Sequence, residues 1–432
     1  MDELADRIDA LLAPDDAERT ARYPGTLPRQ PVHTAYVPAN LFCASTVADW
    51  GGAALSALDE FGPLPGFSAG IDAAVRDKLA RQPIEDLRID FEDGYGHRPD
   101  AEEDGHAVSA AREMASGLAA GTLPPFCGIR IKSLSTELAP RSLRTLDLFL
   151  GALRESAAGA WPAGFVVTLP KILGPEAVTA LADALDVQER KLRLASGTVP
   201  IELMIETPRS VLSADGAAAP PGLVAAGRGR VRSAHFGTYD YTASLDITAE
   251  HQRMTHPACD FAKHVLQVSL AGTGVRLSDG ATNILPVPHH RAAEGGPPLT
   301  ARQVAENRRV VHAAWKLQAD HIRHSLVGAY YQGWDLHPAQ LPTRYATVFA
   351  FFLEGLDAAA ARLSNFLDQA AQATLVGEVF DDAATGQALL NHFLRAINCG
   401  AIDEAEAVAR TGLTLEDYRS RSFLRILERV RK

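Results

Sequence analysis

Residues 87–96, LRIDFEDGYG, set apolar and charged side chains in alternation. Leu87, Ile89 and Phe91 interleave with Arg88, Asp90 and Glu92, and Asp93 follows before a Gly94-Tyr95-Gly96 turn. A period of two marks a β-strand with one apolar face. The other face of this core-like strand carries an arginine and carboxylates. Other segments repeat the pattern: Ile129 and Ile131 with Arg130 and Lys132, and Ile201, Leu203 and Ile205 with Glu202, Met204 and Glu206. A fourth segment ends in Pro170-Lys171 and a sixth near Asp240. Buried unpaired charge costs several kcal/mol per group, so such a face must pair internally or hold an ion and an anion. Glu206 and Asp240 are hard oxygen donors, and two carboxylates plus waters are a usual protein share of an octahedral Mg²⁺ site, with Mn²⁺ the alternative ion. A 2-oxo acid chelates such an ion through its carboxylate and ketone oxygens, and the ion polarises the carbonyl. Arg130 can hydrogen-bond the oxygen that becomes an enolate. That set favours carbon–carbon cleavage expelling an enolate, or its reverse. Asp90, Glu92 and Asp93 can position waters or move a proton, with Asp93 and Glu92 the leading acid/base candidates. Lys171 suits anion binding better than Schiff-base work, which needs a desolvated lysine. Glu202, deeper in its strand, reads as structural.

These residues need a scaffold that brings successive strand ends together. Eight strand segments can be read, at 32–40, 86–93, 126–133, 164–172, 200–208, 231–240, 275–284 and 324–338. Amphipathic helices fall between them at 101–119, 140–157, 174–192, 257–270 and 301–323. Strand–helix alternation implies a parallel sheet, and eight units imply an α/β fold, a (β/α)₈ TIM barrel with chemistry at the C-terminal strand ends. The barrel is expected over residues 1–345 and an α-helical C-terminal extension over 346–432. The Gly/Pro-rich stretches 217–230 and 292–300 read as loops.

The formal net charge of −11 excludes a general basic surface for nucleic acid or anionic lipid. No apolar run reaches the roughly 20 residues of a membrane span. The four cysteines are widely spaced, without a CxxC pair, as expected of reduced thiols. MDELADRIDA lacks the apolar stretch of a signal peptide, so a cytoplasmic protein is expected. Among the histidines, His97 reads as a surface loop residue, His235 lies on strand six, and His321 and His324 read as a solvated helix face. Tyr330, Tyr331 and Trp334 are expected to pack under the C-terminal helices.

The motifs, in their order, resemble the HpcH/HpaI aldolase, citrate lyase β-subunit and malyl-CoA lyase superfamily over residues 33–345. YVPAN (36–40) resembles its opening strand, DFEDGYG (90–96) its acidic motif, IRIK (129–132) the strand of the substrate arginine and LPKI (169–172) its fourth strand. IET (205–207) resembles the strand of the metal glutamate and FGTYD (236–240) that of the metal aspartate, while SDG (278–280) and DLHPAQL (335–341) resemble the late motifs. The resemblance implies Glu206 and Asp240 as metal ligands and Arg130 as the substrate arginine. It implies Asp90, Lys171, Thr207 and His337 as further substrate-binding candidates, His337 also organising its loop. The implied activity is a metal-dependent carbon–carbon lyase, aldolase or citrate lyase-like, acting on a small anionic 2-oxo or 2-hydroxy acid or its coenzyme A thioester. TYDYTASLD (238–246) resembles malate synthase, so a condensing acyltransferase is the alternative, and a non-catalytic barrel a further one. Barrels of this superfamily assemble, and Phe349, Phe351 and Phe352 read as apolar surface, so a homo-oligomer is expected.

Overall fold

The structure, a computed structural model, describes residues 2–22, 29–293, 295–368, 374–376, 379–381, 383–420, 426 and 429. Its main sheet has eight parallel strands: β1 (His33–Pro38), β2 (Asp86–Asp90), β3 (Phe126–Arg130), β4 (Phe165–Leu169), β5 (Ile201–Ile205), β6 (Val231–Phe236), β7 (Arg276–Ser278) and β8 (Gly333–Asp335). Pairing follows chain order from β7 back to β1, which also pairs with β8. A bridge between Ala281 and Trp334 and a bond from Asp279 N–H to the Gln332 carbonyl, 2.8 Å, join β7 to β8. This is a (β/α)₈ barrel.

The apolar faces account for it. Leu87, Ile89, Ile129, Val167, Leu169, Leu203 and Ile205 point outward and are at most 1% exposed. Burying each contributes about 1.5–3 kcal/mol. The covering helices Asp100–Ala120, Ala139–Ser156, Pro175–Leu192 and Pro257–Leu270 start and end within one residue of their predicted spans.

Four expectations are corrected. Strand eight is three residues, because His324–Val327 complete the long helix Ala301–Val327. Strand six stops at Phe236, and Asp240 lies in the first turn of the helix Thr238–Ser244. The stretch 217–230 contains the helix Pro220–Ala226, begun by two prolines where an unused N–H costs nothing. Phe349 and Phe352 are each 2% exposed, so they offer no surface, and Phe351 is half-buried beneath Arg323.

The chain divides into two compact units. Residues 31–269 and 276–351 form the one containing the barrel strands. The other comprises residues 1–30, 270–275 and 352–432. It holds the helices Asp2–Arg22, Leu356–Asp368, Ala383–Cys399, Glu404–Thr411 and Leu415–Ser420. It also holds an antiparallel hairpin of Thr374–Val376 with Val379–Asp381, a departure from the all-helical tail expected there.

Inside the barrel the polar faces meet in layers. In the lower layer Arg88, 1% exposed, donates from Nε and Nη2 to Glu202 at 2.9 and 2.8 Å, and from Nη1 to Asp86 at 2.6 Å. Glu202 also accepts from Thr168 at 2.7 Å and Ser233 at 2.6 Å, and meets His235 Nε2 at 2.9 Å. Burial alone would raise the Glu202 pKa, but Arg88 and His235 hold it well below the usual carboxylate range. Glu202 is therefore structural, as its depth suggested. Removing one partner strands the rest: Arg88→Ala should cost about 3–5 kcal/mol in urea unfolding, and a loss under about 1 kcal/mol would show that the layer does not rely on this pair.

Candidate active site

A cleft of about 440 Å³ opens at the C-terminal ends of the strands. Its lining combines the charged groups Asp90, Asp93, Arg130, Glu206 and Asp240 with the side chains of Tyr36, Tyr239, Trp334 and Leu336. Arg130, from the end of β3, binds Asp90, from the end of β2, through two parallel bonds of 2.7 Å from Nε and Nη2. Its remaining nitrogen, Nη1, lies 3.3 Å from Glu92, and its guanidinium sits 4.9 Å from the Tyr36 ring centroid. Asp90 also accepts from Glu92 N–H at 3.0 Å and Gly94 N–H at 2.8 Å, which curls the turn over the strand end. A Cβ on Gly94 would come 2.6 Å from Asp90 Oδ2, so the turn needs glycine there. Tyr95 points away from the cleft, its hydroxyl 2.8 Å from His106. Lys132 anchors the turn from behind, donating at 2.7 Å to both Glu103 and the Phe91 carbonyl.

Lys171 joins the strand ends. It has φ +51°, a left-handed backbone that costs a non-glycine residue roughly 1–3 kcal/mol. In this conformation its N–H donates to Glu206 Oε1 at 2.7 Å. Its ammonium lies 2.9 Å from Asp93, 3.0 Å from Asp240 and 3.1 Å from Glu92. Glu206 and Asp240 are thereby tied to one residue. Gly237 keeps the Glu206 carboxyl open, since a Cβ there would meet its Oε2 at 2.7 Å.

Five carboxyls, Asp90, Glu92, Asp93, Glu206 and Asp240, thus face two cationic groups, Arg130 and Lys171. Burial and these neighbouring charges together shift the titration. Burial pushes Glu206 up to about 8, with Lys171 pulling against it and Asp240 adding to it. Burial also raises Glu92, and Arg130 does not fully offset it. Asp93 goes the other way: burial would raise it, but the Lys171 hydrogen bond and charge bring it below the usual range. Lys171 is raised, its neighbouring carboxylates outweighing burial.

Of the residues singled out in the sequence, Asp90, Asp93, Arg130, Glu206 and Asp240 line the cleft. Lys171 and Glu92 line a smaller adjoining cavity with Asp93 and His97. Thr207 does not line the cleft; its hydroxyl donates to the Ile172 carbonyl at 2.5 Å and caps the helix Pro208–Val211. His337 also lies outside the lining, its Nδ1 accepting Ala339 N–H at 3.1 Å, which leaves it the loop-organising part. His321 is buried rather than solvated, its Nδ1 3.0 Å from Thr282. Trp334 is corrected most: it lines the cleft and stacks on Tyr36, with centroids 4.7 Å apart. Tyr36, Thr238, Tyr239 and Leu336 were not anticipated. The hydroxyls of Tyr36 and Thr238 are buried without a hydrogen-bond partner, and burial keeps the Tyr36 phenol protonated. Strand pairing sets Trp334 toward the barrel interior. It pairs with inward-facing Thr34, which donates to Asp86 at 2.9 Å.

With this geometry in place, comparison with known proteins is informative. A family model described as Domain of unknown function (DUF6986) matches residues 12–426. The chain belongs to this family. No curated protein matches it. A solved citrate lyase from Burkholderia xenovorans LB400 superposes with TM-score 0.56 at 18% identity, covering 88% of this chain and 96% of that one. A Haloferax volcanii malate synthase gives TM-score 0.48 at 13% identity, covering 91% and 98%. The first likeness reaches the fold, and the second lies too low to carry an argument.

A divalent cation suits the donor set of this family member. Glu206 and Asp240 are hard oxygen donors on one cleft, the donor type such an ion prefers. Among the described residues no three His, Cys, Asp or Glu side chains form a cage for a metal ion, so water and ligand oxygens would complete the shell. Glu206 also sets a pH dependence. Its folded pKa lies above the unfolded value of about 4.3, so its contribution is full below that value and is lost as pH rises toward about 8. Relative to Glu206→Gln, the wild-type protein should lose about 1.4 kcal/mol of stability per pH unit between about pH 5 and 7.5. Urea unfolding at several pH values measures this, and parallel curves would contradict it.

Proposed function

We propose that this chain is a divalent-cation-dependent enzyme that breaks or forms a carbon–carbon bond next to the carbonyl of a small 2-oxo or 2-hydroxy acid. The observation that carries this reading is the meeting of Glu206, Asp240 and Arg130 on one cleft, with Lys171 tying the two carboxylates together. Glu206 and Asp240 would hold the ion, and an ion such as Mg²⁺, once bound, supplies Lewis-acid polarisation. Arg130, fixed by its two bonds to Asp90, offers Nη1 to a substrate oxygen that gains charge. Tyr36 keeps its proton and has a hydroxyl to donate. Asp93 lines the cleft and would be the proton acceptor, paired with the Lys171 ammonium that Glu92 shares at 3.1 Å. The barrel fold shared with a solved citrate lyase and the order of the motifs support this reading.

Two measurements test it. With Mg²⁺ present, a panel of 2-hydroxy and 2-oxo acids and their coenzyme A thioesters should yield a cleaved 2-oxo acid or enolate-derived product. Glu206→Ala should lower that rate at least about 100-fold, since such an ion supplies several kcal/mol. Thiol release from acetyl-CoA with glyoxylate, and no cleavage anywhere in the panel, would instead favour the condensing transferase. Separately, adding Mg²⁺ at pH 7 should release protons from the wild type and fewer from Glu206→Gln. Equal release from both would place the ion elsewhere.

A further inference from the structure

We infer that the substrate carries a ring-sized apolar substituent beyond its acid head, seated against Tyr36, Trp334 and Leu336. This rests on the 2-oxo or 2-hydroxy acid reading and adds the substrate class that these side chains select.

Two polar tips on that side are committed to the fold, whereas the Tyr36 hydroxyl has no partner. Trp334 Nε1 donates to His235 Nδ1 at 3.0 Å, which leaves His235 Nε2 to carry its proton toward Glu202, 2.9 Å away. Tyr239 donates its hydroxyl to the Ala281 carbonyl at 2.8 Å and accepts Asn283 N–H at 3.1 Å. The indole and this phenol therefore present carbon to the cleft. Tyr36 and Trp334 stack with ring planes 33° apart, and Arg130 braces the Tyr36 ring. Leu336, 39% exposed, extends the wall to the rim.

Rings held by their own hydrogen bonds lose little freedom when a ligand packs on them, so contact there favours binding. The acid head is served by the charged groups of the same cleft, Arg130 among them. A three-carbon acid displaces only a few waters of roughly 30 Å³ each, far less than the cleft's 440 Å³. The rest of the lining includes the carbon faces of Trp334, Tyr239 and Leu336, with the unpartnered Tyr36 hydroxyl among them. An apolar pocket with few convergent polar groups recognises a ligand that is charged at one end and apolar at the other.

The test is calorimetric titration of the full chain with pyruvate and with phenylpyruvate, each with Mg²⁺. Phenylpyruvate should bind at least about 10-fold tighter, a difference of about 1.4 kcal/mol. Trp334→Ala should bring that ratio close to one, and Trp334→Phe, which keeps a ring, should retain most of it. Leu336→Ser, at the rim and outside the barrel core, should lower the ratio without depending on how well the Trp334 variants fold. Equal affinities for the two acids in the wild type, or a ratio unmoved by Trp334→Ala and Leu336→Ser, would overturn the inference and leave the acid reading standing. Binding of neither acid would overturn the acid reading, and the inference with it.

Discussion

One ammonium group organises the rim of this barrel. Lys171 stands among Glu92, Asp93 and Asp240, and its own backbone N–H holds Glu206. Carboxylates this close repel strongly, and those buried lose the water that would screen them. Without the lysine, the ends of β2, β5 and β6 would have to part or take up protons. The strained backbone at Lys171 is consistent with this task, since a left-handed residue survives only where its surroundings determine it. Even with the ammonium in place Glu206 stays raised, chiefly by its burial and then by the Asp240 charge.

Beneath the rim, charge is used differently. The Arg88–Glu202 layer is closed: its donors and acceptors meet one another, and Glu202 sits well below the usual carboxylate range. The rim is open, with Arg130 half committed to Asp90 and two buried hydroxyls lacking partners. A satisfied polar layer rigidifies a barrel, whereas an unsatisfied one is poised to bind. The two layers are one strand step apart, Arg88 below and Asp90 above, so the alternation that builds the strand also separates stability from chemistry.

Much of this was legible in the sequence. Strict alternation in β2, β3 and β5 gave both the barrel and the inward charges, because a period of two leaves no choice of face. Arg130 and Glu206 were legible at their strand ends, and Asp240 reaches the same cleft from just beyond β6. What escaped lay where the period was broken. The segment 324–338 mixes a helix end, a turn and three strand residues, so the phase of Trp334 could not be read. Asp240 was found but misplaced on its strand, since the chain turns into a helix at Thr238. Thr207 and His337 carry residue types that suit ligand binding, yet each spends its polar atom on a local cap, a use that sequence does not distinguish from recognition. Tyr36 has an aromatic side chain at the end of a core strand, and only the assembled barrel shows which rings it meets.

The chain of contacts from Glu202 through His235 to Trp334 links the barrel's ionic floor to the wall of its cleft. Divergence in ligand preference is therefore not free to proceed at the surface alone. A substitution reshaping that wall also disturbs the imidazole beneath it, and one made deep in the barrel to improve folding tilts the ring above. Relatives that change one would be expected to change the other, so covariation between these layers is a natural mark of descendants that moved to new ligands.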